Sequence, residues 1–172
     1  MRTIGTVTQF LMPILSGGYL LAAVIVLVQH AGQLGTAFAT IFHAAWHPAA
    51  VGGGTLGTVL SAGLRHGVFS NEAGLGSAPI AAAAAKTNEP VTQGLVSMLG
   101  TIIDTVIICT MTGLSIVITG AWDMGLEGVS VTTKAFQIGL PFPEQVASFV
   151  LMLCLVFFAF TTILGWNYYS EK

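Results

Sequence analysis

The stretch HGVFSNEAGLGSAP, residues 66–79, decides how this chain is interpreted. It places Ser70, Asn71 and Glu72, with three glycines and a proline, within fourteen positions of a mostly apolar sequence. Glycine and proline both disfavour a continuous helix, and a carboxylate is costly in an apolar environment. The stretch therefore predicts a segment in which the helix is interrupted and the carboxylate has a functional role.

The composition of the chain is that of a membrane protein. Of its 172 residues, 54% are hydrophobic and only 7% are charged, whereas a soluble domain carries about 25% charge. The net charge of −2 gives no basic field that would attract nucleic acid. Lipid is therefore the expected environment, and an all-α membrane fold follows because helices satisfy their own backbone hydrogen bonds.

Four apolar segments approach the roughly 20 residues that a membrane-spanning helix needs. They cover residues 10–28, 55–85, 91–119 and 145–169. The second is broken near 70–76, and residues 41–50 form a segment too short to cross, expected as a helix at the membrane surface. Residues 120–144 are rich in glycine and proline, which predicts an outer loop.

Basic residues near the ends of these spans predict their orientation. Arg2, Lys86 and Lys172 lie on one side of a four-span arrangement, and Arg65 and Lys134 lie toward the other. The first side is expected to be cytoplasmic because basic residues are enriched there. This predicts a multi-pass protein of the cell (inner) membrane.

The break in the second span indicates a cavity. Irregular backbone at membrane depth persists where it is buried in protein or lines a wet cavity, and a membrane carboxylate such as Glu72 usually faces an interior pathway. Broken helices of this kind build transporter binding sites. The alternative is a kinked helix in which Glu72 pairs with Arg65, seven residues earlier on the same face.

The third span carries Asp104 near its middle, within a stripe of serine and threonine residues at helical spacing. Such a stripe faces other helices. Asp104 is either an ion or proton position, or a structural carboxylate held by neighbouring hydroxyl groups.

The fourth span contains Thr161 and Thr162, with Trp166 one turn beyond. Hydroxyl and carbonyl oxygens are hard ligands that suit sodium, and Trp166 could line the site of a small substrate. Alternatively, the threonines bond back to their own helix, and Trp166 joins Tyr168 and Tyr169 in an interfacial aromatic belt.

Metal binding and enzymatic catalysis have little support in the sequence. His43 and His47 are four residues apart, as in a metal-binding pair, but no third ligand is evident, so no metal site is predicted. Cys109 and Cys154 lie in apolar spans and are expected to be free thiols. Because no nucleophile–base pair or phosphate-binding loop is present, the chain is not expected to be an enzyme.

Long stretches of the chain resemble the alanine or glycine:cation symporter family, also called sodium:alanine symporters. They are MPILSGGYLLAAV (12–24), GLRHGVFSNEAGLGSAPIAAAAA (63–85), QGLVSMLGTIIDTVIICTMTGLSIVITGAW (93–122) and FFAFTTILGWNYYSEK (157–172). The resemblance covers essentially the whole chain, and FSNEAGLGSAP is long and unusual enough to be specific. One departure is His66, which stands where many relatives have arginine.

The resemblance implies part of an inverted-repeat amino-acid transporter fold. The chain would hold the last helix of the first repeat and three helices of the second, with residues 120–144 as an outer hairpin over the site. Thr161 and Thr162 would then bind sodium, the coupling ion. The implied substrate-binding residues are Ser70, Asn71, Glu72, Gly74, Gly76 and Trp166.

The resemblance also implies sodium-coupled symport of a small neutral amino acid, alanine or glycine. The partners would be that amino acid, sodium, the bilayer and the parts of the transporter that this chain lacks, since the family's other broken helix would precede Met1. A 172-residue middle section is not expected to transport alone. The alternatives are a proton-coupled transporter, with Glu72 or Asp104 carrying the proton, and a non-transporting membrane fragment.

Overall fold

The computed structural model describes residues 2–47, 56–69, 76–83 and 85–170 of the chain. Within those ranges every long element is a helix and no strand occurs, so the predicted all-α class is confirmed. The helices are α1 (Arg2–Gln29), α2 (Leu34–Trp46), α3 (Leu56–Phe69), α4 (Ala78–Ala83), α5 (Pro90–Thr119), α6 (Val129–Gly139) and α7 (Glu144–Ser170). Short 3-10 helices cover Ala31–Gln33 and Ala121–Asp123.

Three of these helices are long and apolar enough to cross a bilayer. Their spanning parts are Phe10–Gln29, Pro90–Thr119 and Glu144–Asn167, with mean hydropathy of 2.3, 2.0 and 2.5. They lie where the sequence predicts its first, third and fourth spans. The second predicted span, 55–85, falls partly outside the described residues, and its described parts are α3 and α4.

Helix α5 changes its winding in the middle. Residues Ile102–Ile108 form a π-helical segment in which the Cys109 amide donates to the Asp104 carbonyl, five residues back. The sequence of this segment, IIDTVII, consists almost entirely of β-branched residues, which crowd the preceding turn of an α-helix. The wider π turn shifts the helical register, so the serine and threonine residues of this span do not form one straight stripe. Such π segments are frequent at functional sites.

Residues 120–144 contain a helix where the sequence predicts a loop. The glycines and prolines that suggested a loop enclose α6: Gly120, Gly125 and Gly128 have positive φ values of 70°, 67° and 57°, and two prolines follow the helix. The prediction was wrong for residues 129–139 because these residues mark the ends of a helix whose Ala135, Phe136 and Gly139 are buried.

The chain divides into two compact units, one formed by residues 1–37 and 111–172 and the other by residues 38–110. The first unit packs α1, α6 and α7 around Tyr19, whose ring centre lies 5.4 Å from that of Phe136 and 6.3 Å from that of Phe158. The Tyr19 hydroxyl lies 2.6 Å from the Thr112 hydroxyl oxygen. Val26, also on α1, is fully buried and lies beside Gly139 of α6.

The second unit is mostly exposed in its described part. Ser77, at 6% exposure, is the one buried residue there. Many large apolar side chains on the three long helices are also exposed, including Ile14, Val106 and Ile163. Exposed apolar side chains in this number on long helices are expected to be covered by lipid or further protein.

Candidate ion and substrate site

Helix α7 brings two hydroxyl groups to one carbonyl. The Thr161 and Thr162 hydroxyls each donate a hydrogen bond of 2.9 Å to the carbonyl oxygen of Phe158. This is the back-bonded arrangement typical of threonine in a membrane helix. It also fixes the rotamers of both side chains. Since a hydroxyl has two lone pairs, each oxygen can still accept a bond or bind a cation while its proton is donated.

The two threonines differ in their surroundings. Thr161 is 6% exposed, and its hydroxyl lies 3.1 Å from the Met12 sulfur of α1, whereas Thr162 is exposed. Met12 therefore packs its sulfur against the Thr161 hydroxyl from the neighbouring helix. Thr161 therefore presents its hydroxyl between α1 and α7.

Trp166 lies further along α7 and is 49% exposed. Its position one turn beyond Thr162 on the same helix follows from the continuous helical winding of Glu144–Ser170. The structure therefore groups Thr161, Thr162 and Trp166 on the C-terminal half of one spanning helix. The side chains of Tyr168 and Tyr169 lie outside the described part, so the aromatic belt is a prediction only.

Most of the predicted break lies outside the described residues, including Ser70, Asn71, Glu72 and Gly74. Gly76 is described and has a φ of +77°, in the left-handed region that favours glycine. The chain is helical up to Phe69 and again from Ala78. The two described flanks are therefore helices, and the second begins directly after a left-handed turn.

Ser77 is a residue that the sequence analysis did not select. Its hydroxyl oxygen is buried and makes no hydrogen bond within the described part of the chain. A buried polar group without a partner is destabilising by about 1–3 kcal/mol, so it usually serves a ligand, an ion or water. The signal was present in the sequence as the serine after Gly76, but its burial without a hydrogen bond among the described residues is visible only in the structure.

Asp104 lies within the π segment of α5. It is partly buried, and its carboxylate makes no hydrogen bond or ion pair among the residues that the structure describes. The structural alternative, in which neighbouring hydroxyls hold it, lacks those contacts here: Thr101 donates to the Ser97 carbonyl instead. An unpaired carboxylate in a spanning helix is typical of an ion or proton position.

These features define an all-α membrane protein with polar groups placed inside its spans. A comparison of the sequence with family models matches the sodium:alanine symporter family over residues 1–172. The chain therefore belongs to the sodium:alanine symporter family, which confirms the resemblance seen in the sequence.

Individual relatives agree with this assignment. The chain is 44% identical over 175 residues to the sodium/alanine symporter AgcS of Methanococcus maripaludis. It is 45% identical over 176 residues to an uncharacterized transporter of Haemophilus influenzae, and 35% identical over 173 residues to the amino-acid carrier protein AlsT of Bacillus subtilis. Each match covers 99% of this chain. The chain spans 38% of the length of the first two relatives and 36% of the third.

Proposed function

We propose that the protein containing this chain carries a small neutral amino acid, alanine or glycine, across the cell membrane together with sodium. The observation that carries the proposal is the match to the sodium:alanine symporter family over residues 1–172, and Thr161 and Thr162 lie on a spanning helix of this chain. The protein would be a multi-pass component of the inner membrane.

Sodium is the proposed coupling ion because the site offers hard, neutral oxygen ligands. Thr161 and Thr162 each contribute a hydroxyl oxygen whose proton is already committed to the helix, which leaves lone pairs for a cation. Neutral oxygens lower the cost of releasing the ion compared with a carboxylate site. The remaining ligands would come from parts of the transporter outside this chain.

The amino acid is proposed to bind at the broken second span. Backbone groups freed near residues 70–76 can meet the charged ends of a zwitterion, because helix ends expose N–H and carbonyl groups. As the family resemblance implies, Asn71 and Glu72 would shape and charge the pocket, and Trp166 would limit substrate size. The buried Ser77 hydroxyl, which makes no hydrogen bond among the described residues, is a candidate for a further polar contact near the break. Transport would follow alternating access, with sodium favouring the substrate-competent state.

The test is uptake of radiolabelled alanine and glycine by proteoliposomes that contain the protein encoded by the complete reading frame. We expect uptake when sodium is present outside, and a loss of most of it when choline replaces sodium. Undiminished uptake in choline would reject sodium coupling, and uptake of neither amino acid under any ion gradient would reject the substrate class.

Proton coupling is the second candidate, and it is favoured by Asp104 in the π segment, whose carboxylate has no partner among the residues that the structure describes. The carboxylate would take up and release the proton during the cycle. In choline medium, an inward proton gradient should then drive uptake, and Asp104→Asn should abolish that component. If Asp104→Asn instead leaves both sodium-driven and proton-driven uptake unchanged, Asp104 has no coupling role.

A further inference from the structure

Helix α2 has a polar side and an apolar side. At 100° per residue, Thr36, Thr40, His43 and His47 fall within about 60° of one another. All four are exposed. The opposite side presents Phe38, Ile41 and Phe42, which are 43%, 39% and 64% exposed, and Trp46, 85% exposed, lies at the edge between the two sides. A short helix with this division lies at a membrane surface with its polar side toward water.

The two histidines on the polar side face each other. Their ring centres are 5.3 Å apart, and the ring planes are inclined by 33°. His47 follows the last residue of α2, and its amide donates to the Ala44 carbonyl at 3.3 Å, which continues the turn and keeps the ring near His43.

This spacing fits a shared metal ion. A zinc ion about 2.1 Å from a ring nitrogen stands about 3.2 Å from the centre of that ring, so two rings on a tetrahedral ion have centres about 5.2 Å apart. The observed separation of the ring centres, 5.3 Å, is close to this value, and water would complete the coordination of an ion bound by both rings. The sequence shows only a spacing of four residues, whereas the structure adds the distance between the two exposed rings.

We propose that His43 and His47 form a surface site for a divalent transition-metal ion of zinc type. Imidazole suits zinc, copper and nickel, whereas hard ions such as magnesium prefer oxygen ligands. The site is separate from the proposed sodium and amino-acid positions and depends on no residue assigned to them.

The experiment is a zinc titration of the purified complete protein in detergent, followed by calorimetry, with magnesium as the comparison ion. We expect a zinc-binding event that magnesium does not reproduce. His43→Ala and His47→Ala should each weaken it by roughly tenfold or more, since each removes a direct ligand. His30→Ala is the matched control, because the His30 ring is bonded to the Val26 carbonyl at 2.9 Å and lies outside the pair.

A second measurement locates the ion independently of affinity. Chemical modification of histidines by diethyl pyrocarbonate, read by mass spectrometry, should be slowed by zinc at His43 and His47 and unchanged at His30. Circular dichroism of each variant checks that the helices are retained. Absence of zinc binding, an equal loss in His30→Ala, or full binding in His43→Ala with His47→Ala would overturn the proposal.

Discussion

The Tyr19 hydroxyl of α1 lies 2.6 Å from the Thr112 hydroxyl of α5, although 93 residues separate them in the chain. This contact joins the spanning helices α1 and α5. The Tyr19 ring also packs on Phe136 at the same position. In a membrane, where apolar contacts between helices gain little over contacts with lipid, such a bond contributes to specific packing.

A double-mutant cycle measures that contribution. Tyr19→Phe and Thr112→Val together should show a coupling energy of about 0.5–1.5 kcal/mol in the free energy of unfolding, the range found between membrane helices. Unfolding in mixed micelles followed by circular dichroism gives the value. Thr133→Val is the control partner, since its hydroxyl donates to the Val129 carbonyl of its own helix. Equal coupling of Tyr19→Phe with Thr133→Val would contradict the assignment.

A second prediction concerns Gly139, where α6 approaches α1 most closely. A Cβ added there would lie 2.6 Å from one methyl carbon of Val26 and 3.0 Å from the other. Val26 is fully buried and β-branched, so it has little freedom to move away. Gly139→Ala should therefore lower the free energy of unfolding by about 1–3 kcal/mol, as overpacking does.

The matched control is Gly165→Ala on α7, where an added Cβ meets no atom within 4 Å. It should leave stability unchanged or raise it, because alanine favours a helix more than glycine does. Thermal unfolding of both variants in the same detergent makes the comparison. A Gly139→Ala variant as stable as Gly165→Ala would show that the α1–α6 contact relaxes easily.

The long apolar helices could be predicted from sequence because a spanning segment carries its signal in length and composition. Helix α6 could not be predicted in this way. Glycine and proline indicate where a helix or strand ends, but they do not indicate whether a helix lies between two such ends. The buried face of α6, Ala135 with Phe136, depends on packing against α1 and α7.

The sequence predicts the types of residue at the candidate site better than it predicts their geometry. The sequence indicates hydroxyls at Thr161 and Thr162, but it does not reveal that both donate to Phe158 or that Met12 lies beside one of them. Likewise, a carboxylate at Asp104 is visible in the sequence, whereas the π winding around it results from how a β-branched run packs. The Met12 contact depends on tertiary packing, whereas the hydrogen bonds to Phe158 and the π winding are local to their own helices.

A third prediction tests the left-handed turn at the end of the broken span. Gly76 has a φ of +77°, and a Cβ added there meets no atom of the described residues within 4 Å, so backbone strain is the expected limit on a substitution. Gly76→Ala should cost about 1–2 kcal/mol of stability, the penalty for an L-residue in that region, and Gly76→Asn should cost less.

Gly63→Ala within α3 is the comparison, because Gly63 is helical and an added Cβ meets nothing within 4 Å. It should not destabilise the protein. Unfolding in mixed micelles ranks the three variants. If Gly76→Ala is as stable as Gly63→Ala, residue 76 does not need a left-handed backbone.

The last prediction separates a sodium ligand from a packing residue at position 161. Thr161→Val keeps the shape of the side chain and removes the hydroxyl, so the sodium concentration for half-maximal uptake should rise by roughly tenfold or more, as loss of a ligand does. Thr161→Ser retains the oxygen and should restore sodium dependence close to that of the parent. Uptake of alanine by proteoliposomes at varied sodium gives both values.

Met12→Leu completes this comparison, because it removes the sulfur 3.1 Å from the Thr161 hydroxyl while leaving that hydroxyl in place. If Thr161 acts through packing against α1, Met12→Leu and Thr161→Val should alter uptake alike, with no selective effect on sodium. If Thr161 binds the ion, only Thr161→Val should shift the sodium dependence. Since the hydroxyl can donate to Phe158 and still bind a cation through its lone pairs, we expect the second outcome.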